Sequence, residues 1–417
     1  MALSSSISYL FLYIFIAVSS GFPINSLETK DHQSVNQTFR SAQQIYKLKK
    51  MIATRLQEIN KPAIKTIQSP DGDIIDCVLT HKQPAFDHPL LKGEKPMDPP
   101  ENLRRYNQIR NTSDHFQLWS LSGESCPDGT IPIRRITEED MLRAHSINSF
   151  GRKFPNASIH EYAVISEGND KFYGAKGAIN VWRPNLESWR EFSVAQLWLV
   201  AGTPGKDLNS IEAGWQALTF MQVYGRLYGD YLSRFFIYWT GDDYNNGCYN
   251  LMCPGFVQTN RKYALGGAIT KTSTYKGKQY SITLKVLKDK QTGNWWLGVD
   301  EYGSEYLIGY WPSKLFTQLK NGADEVNFGG EIVNLKTTGP HTSTSMGSGH
   351  FPEEGFGKAA YIRNMQVIDT DYNFKAFKNP SHRVTNLYCY SMVERDSDPN
   401  WGHYIFFGGP GRGEKCP

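Results

Sequence analysis

Glu191-Phe-Ser-Val-Ala-Gln-Leu-Trp-Leu-Val200 is followed, past a Gly-Thr-Pro-Gly step, by Asn209-Ser-Ile-Glu-Ala-Gly-Trp-Gln216. Both are short apolar runs bounded by Gly, Pro, Asn and Asp, the pattern of strands between turns. The texture recurs at Gly177 to Trp182, Arg234 to Thr240, Tyr280 to Val286, Trp295 to Val299 and Tyr361 to Ile368. Strand runs at this spacing, with few helical stretches, predict an antiparallel β-sandwich from about residue 153 onward. Pro312 to Leu319 reads as an exception, one or two helical turns.

Upstream the texture differs, and a smaller α+β region is expected over 21–152. Ser41 and Gln44 form a capping-box start, Ile45, Leu48, Ile52, Leu56 and Ile59 recur at helical spacing, and Pro62 closes the segment. Ser69-Pro-Asp-Gly-Asp-Ile-Ile-Asp-Cys77 reads as a turn entering a strand, and Cys126-Pro-Asp-Gly-Thr-Ile-Pro-Ile-Arg-Arg135 as another. Pro84 to Pro100 reads as extended and irregular, and Thr137 to His145 as a short helix with an acidic first turn. The junction falls near Phe150-Gly-Arg-Lys-Phe-Pro155, whose basic step in a loop suggests processing between about residues 145 and 160.

The chain has 417 residues, a net charge of +4 and 13% aromatic residues. That length suits about two or three structural units. The charge is scattered, with no basic stripe or nucleic-acid motif, so no nucleic-acid partner is expected. Residues 1–20 read as a secretory signal: Ile7 to Val18 is apolar, ends in small residues and is too short to span a bilayer comfortably. Its start lacks the usual Lys or Arg. No later segment is apolar enough for stable membrane insertion. Secretion to the extracellular space or cell wall is expected, with the vacuole as the alternative. Asn36, Asn111 and Asn156 open glycosylation sequons. Export makes the six cysteines a disulfide set. Local spacing suggests Cys77 with Cys126, Cys248 with Cys253, and Cys389 with Cys416. No metal or other cofactor is expected, because Cys248 and Cys253 have no companion His or Cys pair to complete a zinc site.

Neither a His-Glu-x-x-His helix nor a Gly-x-Ser-x-Gly elbow is present, and the steps typical of aspartic peptidases are missing too. Gly347-Ser-Gly-His350, with His341 upstream, offers a serine–histidine pair but reads as a loop, without the elbow that would expose the serine. Carboxylates remain. Glu212, in Ile211-Glu212-Ala213, and Glu331, in Gly329-Gly-Glu-Ile-Val333, each sit among apolar or glycine neighbours that would desolvate them. Alternation puts Glu212 opposite to Ile211 and Ala213. The glycines beside both would let a substrate backbone approach. Gln196 is a polar residue in an apolar strand and could donate to a developing oxyanion. Trp215, Tyr238, Trp239, Trp295, Trp296, Tyr310 and Trp311 supply aromatic surface, most of it for the core; Trp215, Trp239 and Tyr310 are candidates to support a substrate.

These motifs together resemble the plant neprosin family. The N-terminal part is similar to its activation domain through Gln68 to Cys77, Gln83-Pro-Ala-Phe-Asp-His-Pro89 and Ser125 to Arg135. The C-terminal part is similar to its peptidase domain through Asn209 to Gln216, Gly247 to Phe256, Gly293-Asn-Trp-Trp296, Gly309-Tyr-Trp-Pro312, Gly329-Gly-Glu-Ile332, Met346 to Phe356 and Phe407 to Gly411. The resemblance implies a secreted glutamic endopeptidase made as a zymogen. It implies a β-sandwich with a cleft, cleavage after proline at acid pH, and Glu212 and Glu331 as the catalytic pair. The implied partners are a peptide or protein substrate and the chain's own pro-domain as inhibitor, in a monomer. The stretch Ala217 to Ser233 is longer than the family pattern and borders the implied cleft. The rival readings are a non-catalytic cell-wall or glycan-binding sandwich and a two-carboxylate glycosidase.

Overall fold

The computed structural model describes residues 42–101, 116–143, 147, 150–153, 159–188, 191–218, 232–301, 304–336 and 338–417. The signal at 1–20, the three sequons, most of 217–233 and most of the processing window lie outside the described residues. The chain divides into two units, Met1–Lys47 and Leu48–Pro417, and the account below concerns the second.

Its first layer is a three-stranded sheet of β1 (Ala63–Gln68), β2 (Ile74–Leu79) and β3 (Thr130–Arg134), antiparallel throughout. Helix α1 (Ala42–Ile59) and the short α2 (Glu138–Arg143) accompany it. Ile52 and Ile59 are buried with Ile136, Met141 and Phe150, and Leu48 and Leu56 pack against them. The Pro84–Pro100 stretch is more ordered than expected: Pro84–Asp87 and Pro89–Leu91 are 3-10 turns, each with proline in its first turn, where the missing N–H costs nothing.

The rest is a sandwich. One sheet has seven strands in the order β17 (Ser381–Val384), β4 (Ile159–Glu167), β14 (Glu325–Asn334), β6 (Phe192–Ala201), β7 (Asn209–Leu218), β8 (Ser233–Thr240) and β9 (Cys248–Tyr249). The other runs β10 (Val257–Gln258), β13 (Ser304–Trp311), β12 (Trp295–Glu301), β11 (Ser281–Lys288), β5 (Gly174–Asn180), β15 (Ala360–Ile368), β19 (Gly402–Gly408) and β18 (Ser391–Asp398), with β16 (Phe374–Lys375) beside β15. The fold class read from the sequence therefore holds: mainly antiparallel β, with a smaller α+β N-terminal region. Pro312–Leu319 forms 3-10 turns at Ser313–Leu315 and Leu319–Asn321.

Burial explains the layering. Leu197, Ile211, Ala213, Trp215, Ile237 and Phe328 from the seven-stranded sheet share one core with Ile179, Leu284, Leu297 and Ile362 from the other. Phe328 presses against Gly177, where a Cβ would lie 2.6 Å from its ring. Removing such a buried aromatic side chain typically costs about 3–5 kcal/mol. Three disulfides, Cys77–Cys126, Cys248–Cys253 and Cys389–Cys416, match the pairing expected from spacing.

The N-terminal layer is fastened to the sandwich by polar contacts. Asp73 receives a guanidinium bond from Arg134 at 2.8 Å and another from Arg234 of β8. Gln83 donates to the Gln258 carbonyl at 2.9 Å and accepts from the Gln258 N–H at 2.8 Å. Burial would raise the Asp73 pKa, but Arg234 and then Arg134 hold it below its usual value.

Candidate active site

Strand β6 lies between β14 and β7, with Glu331 opposite Val194 and Glu212 opposite Trp198. Gln196 falls between those two levels, opposite Gly329 on one side and Gly214 on the other. Alternation then places Glu212, Glu331 and Gln196 on one face of the sheet, with Trp198, Ser210, Tyr238, His160 and Tyr162. All three of the first group are almost fully buried: Glu212 is 1% exposed, Glu331 3% and Gln196 1%.

The two carboxylates do not hydrogen-bond each other. Glu331 Oε1 lies 2.5 Å from His160 Nδ1, and its Oε2 accepts from Gln196 Nε2 at 3.1 Å. The Tyr162 hydroxyl is near enough to favour its charged form. Glu212 Oε1 accepts from Ser210 Oγ at 3.1 Å, and its Oε2 is 2.5 Å from the Lys153 ammonium. Lys153 Nζ also lies 4.6 Å from the centre of the Tyr238 ring and 5.9 Å from that of Tyr249. Burial would lower the Lys153 pKa, but Glu212 first, then Tyr249 and Glu331, hold it well above the usual lysine value. Burial would likewise raise the Glu331 pKa, but the Lys153 charge, His160 and Tyr162 bring it below the usual carboxylate value.

Lys153 is fixed from its N-terminal side. The Gly151 carbonyl accepts from the Tyr249 N–H at 2.8 Å, inside the loop closed by Cys248–Cys253. Gly151 has φ +80°, and a Cβ there would stand 2.9 Å from Met252 Cβ. Glycine lets the chain run flat over that loop and aim residue 153 at the carboxylates.

Two buried polar atoms on this face, Gln196 Oε1 and Tyr238 Oη, have no hydrogen-bond partner among the described residues. Buried polar groups are nearly always satisfied, so an unmet pair beside two carboxylates marks a place for water or a ligand.

Trp215, Trp239 and Tyr310, expected to support a substrate, are placed elsewhere. Trp215 points through the sandwich and donates to the Asn180 carbonyl of β5 at 2.9 Å. Trp239 packs edge-on against Phe316, and Gly255 lies against its indole. Tyr310 belongs to the other sheet, where its hydroxyl accepts from the Met97 N–H at 3.1 Å. The glycines also have another task than the one expected. A Cβ on Gly214 would lie 2.1 Å from the Ala195 carbonyl oxygen, and one on Gly330 would lie 2.7 Å from Phe407. They let strands and core approach closely, not a substrate.

The aromatic wall of the site is instead tyrosine: Tyr238 and Tyr249 have ring centres 4.7 Å apart, with Tyr244 stacked on Tyr238 at 6.2 Å. Lys153, His160, Tyr162 and Trp198 were not singled out from sequence. Parity along β6 would have found Trp198, two residues from Gln196; nothing local marks the other three. The Gly347–His350 run makes no serine–histidine unit, since His350 Nδ1 bonds Glu354 at 2.8 Å and His341 Nε2 bonds Glu161 at 2.7 Å. The grouping of His341 with Cys389 and Cys416 offers no thiolate, because the two sulfurs are bonded to each other.

Among solved structures, Scytalido-glutamic peptidase with a peptide based transition state analog overlays with a TM-score of 0.33 at 10% identity, covering 61% of this chain and 99% of that one. SCP-B, a member of the Eqolisin family of peptidases in complex with the tripeptide Ala-Ile-His, overlays at 0.29 and 11%, covering 60% and 97%. Likenesses this loose fix no residue correspondence. The family match is of another order. Residues 66–174 match the Neprosin activation peptide, a span that includes Lys153 and His160, and residues 189–410, which include both glutamates, match Neprosin. The chain belongs to the Neprosin family.

Proposed function

We propose that this chain is the zymogen of a secreted glutamic endopeptidase that hydrolyses peptide bonds in acid, with Glu212 and Glu331 as its catalytic pair. One observation carries the reading: two buried glutamates share a sheet face with unmet polar atoms, and Lys153, from the loop before β4, is paired with Glu212.

The chemistry follows from two carboxylates in different protonation states. The ionised one takes a proton from water as the water oxygen bonds to the peptide carbonyl carbon. The protonated one passes its proton to the carbonyl oxygen, giving a gem-diol. On collapse that oxygen returns its proton, the first glutamate delivers its own to the amide nitrogen, and the C–N bond breaks. The products are an acid and an amine, and the pair is restored. Gln196 Nε2 and the Tyr238 hydroxyl stand on the same face as further donors to the oxyanion.

Latency is part of the proposal. Lys153 occupies the site while residues 150–153 are strapped over the Cys248–Cys253 loop, and a cut between about 145 and 160 frees it to leave. Acid promotes release, because protonating the carboxylates removes what holds the ammonium. The three disulfides suit an oxidising, secreted setting. Cleavage after proline is supported by the family resemblance alone. Trp215, Trp239, Trp295, Trp296 and Trp311 are all buried, so these five offer a glycan no stacking surface.

The test is digestion of a peptide library at acid pH by processed protein, beside Glu212→Gln and Glu331→Gln. Each variant is expected to lose activity while keeping its thermal midpoint within a few degrees. Full proteolysis by either one would sink the dyad. The residue preceding the cut bonds decides the proline preference.

A further inference from the structure

The two glutamates are held by unequal sets of donors. Glu331 is gripped from both neighbouring strands by His160 Nδ1 on β4 and Gln196 Nε2 on β6, with the Tyr162 hydroxyl near enough to favour its charge. Glu212 has Ser210 Oγ on its own strand and Lys153 from the strap. When Lys153 leaves, Glu331 keeps both donors and Glu212 keeps one neutral hydroxyl.

His160 is built to stay where it is. Its ring lies near-parallel to Tyr162, at 18° with centres 6.3 Å apart, and edge-on to Phe192 at 6.0 Å. Its backbone is registered opposite Val333, two residues from Glu331. A ring N–H that donates to a carboxylate favours its ionised form, so a donor at Nδ1 favours an ionised partner.

We propose that His160 is a positioning residue which, with Gln196 and Tyr162, keeps Glu331 ionised as the base that activates water, leaving Glu212 to carry the shared proton. The assignment rests on the peptidase reading above. The other charged or titratable groups around the pair do not reverse it. Lys153 is expelled with the strap. Tyr244 and Tyr249 are neutral in acid, burial pushing the Tyr244 phenol up to about 12 and the Tyr249 phenol up as well. Arg383 of β17 lies over the Tyr162 ring at 4.1 Å and adds positive charge on the Glu331 side.

The experiment is the pH profile of kcat/KM for processed protein on a fluorogenic peptide, comparing wild type, His160→Ala and His160→Asn. Asparagine can present a neutral N–H near the Nδ1 position; alanine cannot. Because kcat/KM falls in acid as the base takes up a proton, losing His160 should move the acid limb to higher pH. A one-unit move reads as about a tenfold loss of kcat/KM on that limb. KM should change little, and His160→Asn should recover part of the shift. An acid limb that stays put in the folded variants overturns the inference, as does an equal loss at every pH carried by KM. If His160→Ala does not fold, the His160→Asn limb decides alone: moved in favour, unmoved against. Wild-type protein that cleaves no peptide would instead defeat the peptidase reading itself, a separate result.

Discussion

Lys153→Ala in the full-length chain removes an ammonium that is 14% exposed from a carboxylate that is 1% exposed. At that burial solvent screens little, and breaking a buried pair by deleting one partner costs about 3 kcal/mol or more. The loss falls on two carboxylates, since Lys153 acts on both Glu212 and Glu331. At roughly 1.4 kcal/mol per unit of pKa, it is worth about one to two pH units of protonation. The direction follows from the shifts. The depressed Glu331 pKa means its contribution is full above the usual carboxylate range and vanishes as pH falls through the folded value. The raised Lys153 pKa means its contribution persists at every pH below the usual lysine value. The contact is therefore complete at neutral pH and opens only in acid. The variant is expected to self-process with a midpoint about one to two pH units above wild type, read by gel and N-terminal sequencing across a pH series. Its thermal midpoint should fall at pH 7 and match wild type in strong acid. Lys153→Arg, which keeps the charge, should stay near wild type. A processing midpoint unchanged in Lys153→Ala would refute the idea that this lysine guards the site.

Asp73→Asn should weaken the fastening between the N-terminal layer and β8, because it leaves Arg134 and Arg234 facing a neutral amide. The expected loss is about 3 kcal/mol at pH 7, shrinking in acid where Asp73 itself protonates, and thermal melts at the two pH values check it. Gly214→Ala would press a methyl group to 2.1 Å from the Ala195 carbonyl oxygen and force β6 and β7 apart. A cost of about 3 kcal/mol is expected, with a lower melting temperature and lost activity. Cys248→Ser with Cys253→Ser should loosen the loop that receives Gly151, and faster trypsin cleavage after Arg152 or Lys153 is the readout.

Strand positions were legible because alternation and turn residues are local signals, and the sheet face of Glu212 followed from the same parity. That rule also excludes Trp215, three residues on, from the face of Glu212 and puts it in the core with Ile211 and Ala213. The sequence itself therefore argues against Trp215 as substrate support. Trp239 and Tyr310 are different, since their faces depend on which strands pair, and nothing local states that β8 adjoins β7 or that β13 lies in the other sheet. Glycines 214, 329 and 330 do mark close approach, but what approaches is backbone and core. Lys153 was visible only as part of a basic loop. Its place on Glu212 needs the path of residues 150–153 over a disulfide loop, a long-range fact without a local pattern. His160 meets Glu331 across a strand pair separated by 171 positions in sequence, which no spacing rule can anticipate.

On the proposed reading, charge in the site ties latency to activity in acid. With Lys153 seated, two carboxylates and one ammonium share a buried space, and a neutral-pH zymogen needs no extra proton there. With Lys153 gone, two carboxylates remain in low dielectric, and the pair retains a proton more readily than isolated carboxylates do. The zymogen and the processed protein should then respond to pH in opposite senses. In the zymogen the unfolded chain binds more protons at the site than the folded one as pH falls, so stability rises with pH. In the processed protein the folded site holds a proton that the unfolded chain releases, so stability contributed by the site falls as pH rises toward neutral. Thermal midpoints measured from acid to neutral should therefore diverge, the zymogen gaining and the processed protein losing. Glu212→Gln in the processed protein, which fixes one partner as neutral, should remove most of that loss. Parallel curves for zymogen and processed protein would mean that Lys153 is not the counter-charge on which the buried pair depends.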